Sequence, residues 1–309
     1  MIARGGEAVP LQTGPAGEVP AAILVDLLNH ASIEIAAGSS RAIAALHDQF
    51  DPGTEVFVNF IPGGDWRMVA DTAAALRRGG FHPVPHIPAR SIPDARALAD
   101  FLARLTGDAA VDRVLVIAGD GAAPAGPYAT TLDVIATGVL EQSGVRSVGV
   151  AGHPEGHPTI GDAVLDTALL AKRDGAAQAG LALFVVTQFC FEAAPVLAWL
   201  ARIRGAGVAA PVRVGVAGPA TVATLVRFGM RCGIGNSLRA VRMRPNAVGR
   251  LLGKSGPEDL FAELGAGLAA MPGHGVGAIH FFPFGGIVDT GEFVARTLAR
   301  LYQDVGQAP

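Results

Sequence analysis

Eight times along this 309-residue chain, a short β-rich run is followed by a longer helix-compatible segment, with Gly, Pro, Asp or Asn near the junctions. The runs cover residues 32–36, 55–60, 82–87, 113–118, 147–151, 183–187, 211–217 and 277–282. Strands alternating with helical patterns imply βαβ units and a parallel sheet. Eight such pairs point to a closed (β/α)8 TIM barrel, with a doubly wound open sheet as the alternative. Helices are expected over 65–79, 93–106, 127–143, 195–205 and 291–303, each ending near Gly, polar residues or loop signals. The segment after the seventh run is longer, an extended helical excursion over 219–235, 238–250 and 257–271. It carries Arg227, Arg231, Arg239, Arg242, Arg244, Arg250 and Lys254. These side chains could clamp an anionic tail or simply form a solvated face. No low-complexity linker divides the set, so residues 21–309 read as a single catalytic barrel domain. Residues 1–20, rich in Gly, Pro and Glu and lacking either period, are expected to be a flexible arm.

Composition narrows the function. Half of the residues are hydrophobic and only 17% are charged, which supplies a sizeable core and excludes wholesale disorder. A net charge of -3 gives no general attraction to nucleic acid or to an anionic membrane, so the expected partner is a small molecule. The two cysteines, Cys190 and Cys232, sit in apolar surroundings without a CxxC pairing, as in a reduced protein, and read as small buried hydrophobes. No export signal and no run of about 20 apolar residues is evident, so a cytoplasmic location is expected. Self-association into a homo-oligomer is the further expectation.

The run 181–192, LALFVVTQFCFE, shows where chemistry would sit. It is a solid apolar strand ending abruptly in Thr187-Gln188, and the carboxyl ends of barrel strands converge on one mouth. The residues leaving the strands are Glu34, Asn59, His86, Asp120, the 153–157 stretch, Gln188, Pro219 and the Phe282/Phe284 pair. Such a mixture of carboxylates, amides, imidazoles and aromatics suits a planar heterocycle better than a simple sugar. Glu34 is a lone acid in an otherwise apolar strand; burial would raise its pKa and let it hold and donate a proton near neutrality. The alternative is a mouth residue that merely meets solvent or an arginine. Gly119, before Asp120, would allow close backbone approach to a ligand.

His153-Pro154-Glu155-Gly156-His157-Pro158 places two histidines and an acid within five residues. A helical HExxH zinc site needs both histidines on one helix face, and the two prolines oppose a regular helix there, so no metal is expected. A prolyl loop presenting histidine donors to a phosphate or ring fits better. Neither GxGxxG nor GxxxxGK[ST] opens a helix after any strand.

Taken in order, Glu34, Pro85-His86, Gly119-Asp120, the PEGHP loop 154–158, Thr187-Gln188-Phe189 and His280-Phe281-Phe282 resemble the short bacterial-type methylenetetrahydrofolate reductases. The resemblance spans roughly residues 32–301. It implies a flavoprotein barrel with non-covalent FAD at the strand carboxyl ends, working by ping-pong hydride transfer. NADH or NADPH would be the co-substrate, and 5,10-methylenetetrahydrofolate would be converted to 5-methyltetrahydrofolate. By position, Glu34 is similar to the acid that opens the folate's five-membered ring. Asp120 is similar to the pterin-binding carboxylate that also influences the flavin, and Gln188, Phe228 and Phe282 to substrate contacts. Asn59, His86, Gly119, Asp120, His153, His157 and Lys172 fall at or near FAD-contact positions.

The chain also departs from the pattern. Ile35-Ala36-Ala37-Gly38 replaces an aromatic and two prolines, Ala118 replaces an arginine, and the aromatic after the seventh strand aligns with Val222 or Phe228. The usual HFYTLN ending is His280-Phe281-Phe282-Pro283-Phe284-Gly285. These changes touch the nucleotide and the folate tail. They motivate a second expectation, a 5-methyltetrahydrofolate oxidase that passes electrons to a partner other than NAD(P). A third, of another class, is a non-redox folate- or pterin-binding barrel acting as a methyltransferase module or carrier.

Overall fold

The eight apolar runs form eight parallel strands that close into a barrel in a computed structural model describing residues 18–60, 63–119, 123–231 and 254–306. They are β1 (Ser32–Ala36), β2 (Glu55–Asn59), β3 (His82–Pro88), β4 (Arg113–Ile117), β5 (Ser147–Gly152), β6 (Ala182–Thr187), β7 (Val212–Ala217) and β8 (Val276–Phe282). Each pairs with the next, and β8 returns to β1 with Ser32 opposite His280. The open-sheet alternative is thereby excluded. Residues alternate between the two faces of each strand. Ile33, Ile35, Val56 and Val58 join the shell packed under the helices, whereas Phe57, Val84, Leu115, Phe184 and Val186 form a separate cluster inside the lumen.

The helices in chain order are α1 (Glu18–Asn29), α2 (Ser40–Gln49), α3 (Trp66–Arg78), α4 (Ala95–Asp108), α5 (Thr131–Ile135), α6 (Val139–Gln142), α7 (Asp162–Gln178), α8 (Ala193–Gly205), α9 (Val222–Arg231), α10 (Glu258–Ala269) and α11 (Ile287–Asp304). Asp65 and Asp94 cap α3 and α4 by accepting from Arg67 N and Ala97 N, meeting backbone donors that have no helical partner.

Two expectations need correction. Helix α1 starts at Glu18, inside the segment expected to be a loose arm, because Ala21, Leu24, Val25, Leu27 and Leu28 bury a face against α10, α11 and β8. Pro20 is tolerated there since first-turn N–H groups lack helical acceptors. The single helix expected over 127–143 is two short ones, α5 and α6. A Thr130/Asp133 capping box starts α5, and Gly138, at φ 72°, breaks the run in a left-handed conformation that favours glycine.

After β7 the excursion begins with α9 and ends with α10, and a two-residue antiparallel pair joins Ala220–Thr221 to Lys254–Ser255. Arg227 is exposed with its guanidinium 5.2 Å from the Phe228 ring centroid. Cys232, Arg239, Arg242, Arg244 and Arg250 lie outside the described residues. No described helix is long and apolar enough to cross a membrane.

The lumen is filled, not hollow. Phe57 and Phe184 meet edge to face at 6.4 Å across it. A Cβ on Gly149 would fall 2.4 Å from the Phe184 ring, so glycine leaves the volume that the ring fills. Because Phe57 is fully buried, Phe57→Ala is expected to lower the unfolding free energy by about 3–5 kcal/mol. Urea titration at neutral pH checks this; a loss below about 1 kcal/mol would mean that the lumen can collapse or hydrate in place of the ring.

Candidate functional site

Strand alternation places Ser32 and Glu34 on one face of β1, and barrel closure brings β2 to one side of it and β8 to the other. The Glu34 side chain is only 13% exposed. Its Oε1 accepts a 2.9 Å hydrogen bond from Asn59 Nδ2. Its Oε2 faces two imidazoles, His86 Nε2 at 3.6 Å and His280 Nε2 at 3.7 Å. Both separations are too long for hydrogen bonds but close enough for strong electrostatic contact. Neither ring nitrogen has a hydrogen-bond partner among the described residues. Phe57 supports both rings, with centroids 4.5 Å from His280 and 6.2 Å from His86.

This surrounding reverses the protonation expected of Glu34. Burial pushes its pKa up, but the His280 and His86 imidazoles and the Asn59 amide outweigh burial and hold it below the ordinary carboxylate value. Burial holds His86 and His280 below the ordinary imidazole value, only partly offset by the Glu34 charge. The resting cluster is therefore one carboxylate between two neutral imidazoles.

His280 and Ser32 were not singled out as site residues by the sequence, although both occupy polar positions in apolar runs. Ser32 Oγ lies 3.0 Å from His280 Nδ1, and both residues are fully buried. The signal was the two-residue spacing of Ser32 and Glu34, which puts them on one strand face.

A second group collects beyond β5. The rings of His153 and His157 meet edge to face at 5.5 Å. Burial, together with the nearby charges of His157 and Lys172, lowers the His153 pKa to about 4. Lys172, half-buried on α7, has its pKa lowered by burial, and no described acid pairs with it. An unneutralised, partly desolvated ammonium beside two imidazoles is suited to an anionic group such as a phosphate. No three metal-ligating side chains converge among the described residues. Glu155 instead ties this loop to the β6 exit, accepting from Phe191 N at 3.4 Å.

The other expected residues are distributed around the mouth. Gly119 has φ 89°, so its glycine meets a backbone requirement, and a Cβ there would stand 3.1 Å from Pro88. Gln188 uses Oε1 to accept from Phe189 N at 3.1 Å, which fixes the amide and leaves Nε2 without a partner among the described residues. Phe282 stands edge-on to His280 at 4.9 Å. Phe284 stacks on Phe282 at 5.9 Å and on Phe228 at 4.2 Å, with interplanar angles of 23° and 14°. Asp120 lies outside the described residues.

Glu34, Asn59, His86, His280 and Phe282 thus form one contact network, while His153, His157 and Lys172 form another. No protein-family model matches this chain. What the resemblance implies rests on the residues that carry it and on their geometry.

An imidazole held below its ordinary 6.5 leaves the folded chain with fewer bound protons than the unfolded one. The contribution of His153 to stability is therefore intact above pH 6.5 and is lost progressively as pH falls towards about 4. His153→Gln should flatten part of the stability loss between pH 7 and pH 5 in urea unfolding; His86, His274 and His280 contribute in the same direction. Equal losses in parent and variant would remove His153 as a cause.

Proposed function

We propose that this barrel is a flavin-dependent oxidoreductase of one-carbon metabolism that interconverts 5,10-methylenetetrahydrofolate and 5-methyltetrahydrofolate. The observation that carries this reading is the Glu34 carboxylate held at the mouth by Asn59, His86 and His280. Ring opening of the methylene bridge needs a proton on the departing nitrogen, and the reverse reaction needs it taken back. Glu34 does both at Oε2: its pKa is held low in the open mouth, and a substrate that displaced water from around it would raise it.

The FAD fit is supported by Lys172, which no described acid pairs, beside His153 and His157, an arrangement that suits a diphosphate, and by buried His86 facing the mouth. When bound, FAD supplies the hydride chemistry. Asn59 fixes one oxygen of Glu34 so that the other is presented to the ligand. Gln188 Nε2, aimed by its own Oε1 contact, is the donor for a pterin edge. Phe282 provides an aromatic face and excludes water.

The second reading, oxidation of 5-methyltetrahydrofolate with electrons passing to a partner other than NAD(P), is motivated by the altered β1 and β8 motifs, Ile35-Ala36-Ala37-Gly38 and His280-Phe281-Phe282-Pro283-Phe284-Gly285. The resemblance assigns the aromatic of the loop after β7 to nucleotide and folate-tail contacts, and here Phe284 occupies the face of Phe228 at 4.2 Å. A nicotinamide nucleotide or a folate tail reaching Phe228 would have to displace Phe284.

The deciding experiment mixes FAD-loaded protein anaerobically with NADH, NADPH and 5-methyltetrahydrofolate in turn and follows flavin absorbance. Bleaching by methylfolate is expected; bleaching by methylfolate alone selects the second reading. Protein that takes up no FAD sinks both and leaves a non-redox folate-binding barrel. Glu34→Gln should retain FAD and slow the folate half-reaction by about 10²- to 10⁴-fold, measured by stopped flow. Lys172→Met should weaken FAD binding by roughly 10- to 100-fold in fluorescence titration; unchanged affinity would remove it from the phosphate site.

A further inference from the structure

Beneath the mouth, the floor of the barrel carries a charge cluster with no part in the chemistry described so far. Glu55, the first residue of β2, holds Arg113 from β4 with one carboxylate oxygen and Arg213 from β7 with the other. Arg213 also donates from Nη1 to His30 O at 3.4 Å and to Ser32 Oγ at 3.5 Å. Ser32 Oγ in turn is 3.0 Å from His280 Nδ1. One continuous chain of polar contacts thus runs from the floor to His280, whose Nε2 faces Glu34.

We propose that Arg213 is a positioning residue that fixes the tautomer of His280, directing its single ring proton from Nε2 towards Glu34. A guanidinium only donates, so a lone pair of Ser32 Oγ is committed to Arg213. Ser32 is 1% exposed, and its hydroxyl hydrogen needs an acceptor. His280 Nδ1 is the only other group that Ser32 Oγ contacts among the described residues. A buried hydroxyl left without an acceptor is costly, so Nδ1 accepts and Nε2 carries the hydrogen.

The other end of the ring gives the same answer independently. With the hydrogen on Nδ1, the Nε2 lone pair would face the Glu34 carboxylate at 3.7 Å, and the Ser32 hydroxyl hydrogen would have no acceptor among the described residues. With the hydrogen on Nε2, the carboxylate faces a donor. Glu55 restrains the guanidinium that sets this pattern. The charged and titratable groups around His280 are Glu34, His86, Arg213 and Glu55, and the positive charge of Arg213 opposes protonation of the ring.

The catalytic consequence rests on the proposed role of Glu34, whereas the tautomer is a property of the protein alone. The test is nitrogen NMR of the full chain carrying ¹⁵N-labelled histidine, with the His280 signals assigned from a His280→Gln variant. The parent should show a protonated Nε2 and an unprotonated Nδ1. Arg213→Met and Ser32→Ala should each reduce that preference by roughly tenfold or more, while Arg213→Lys, which keeps a cationic donor, should largely restore it. Ser32→Ala leaves the Glu55–Arg213 pair intact and tests the same link if Arg213→Met does not fold. A parent with the hydrogen on Nδ1, or a preference unaltered by Ser32→Ala, overturns the proposal. In the FAD-loaded protein, Ser32→Ala should slow the methylfolate half-reaction about tenfold with FAD affinity unchanged. Protein that takes up no FAD would refute the flavin reading and leave the tautomer result standing.

Discussion

A carboxylate inside the lumen of a barrel is the constraint on which the rest of this structure turns. An ion taken out of water is tolerated only where donors and countercharges replace the lost hydration. Around Glu34 those groups come from β2, β3 and β8, and β8 is the strand farthest from β1 in sequence. Closure of the barrel is what makes them neighbours. In an open sheet Ser32 and His280 would not share a register, and Glu34 would keep only its β2 contact. Fold and site are therefore one requirement: the seam that completes the barrel also completes the acid–base cluster.

The lumen is divided accordingly. Phe57, Val84, Leu115, Phe184 and Val186 fill one part with hydrocarbon, and the polar groups are gathered against that wall. Their interactions are strengthened by the low local polarity, which is also why both histidines stay neutral. Phe57 belongs to both parts, as a core residue and as the support for two imidazoles. At the β5 end, His153 and Lys172 show the opposite arrangement, basic groups desolvated together without a described acid. One region carries its own neutral hydrogen-bonding groups around its carboxylate and the other is suited to receive charge from a ligand.

The strands were legible because a parallel strand under helices is an almost uninterrupted apolar run, and Glu34 stood out as the lone acid within its own run. Helix α1 was hidden by Pro20, which mimics a breaker but sits in the first turn, where it is harmless. The division between α5 and α6 depended on the backbone of Gly138, which composition alone does not fix. The direction of the Glu34 pKa was misjudged for a deeper reason. Burial follows from the residue's own strand, whereas the compensating histidines lie 52 and 246 positions farther along the sequence (86 - 34 and 280 - 34). Gln188 was visible as a polar strand end, but the locking of its amide by its neighbour's N–H belongs to the local fold.

The empty volume at Gly149 and the ring of Phe184 are two halves of one shape, the ring 2.4 Å from where a Cβ would stand. Neither member of such a pair can drift alone: a side chain gained at the glycine collides, and a ring lost opposite it leaves a void. In descendants of this sequence the two positions are bound to change together or not at all. The lumen thus records its history in pairs of sites, and a larger residue at position 149 would be accompanied by a smaller one at 184.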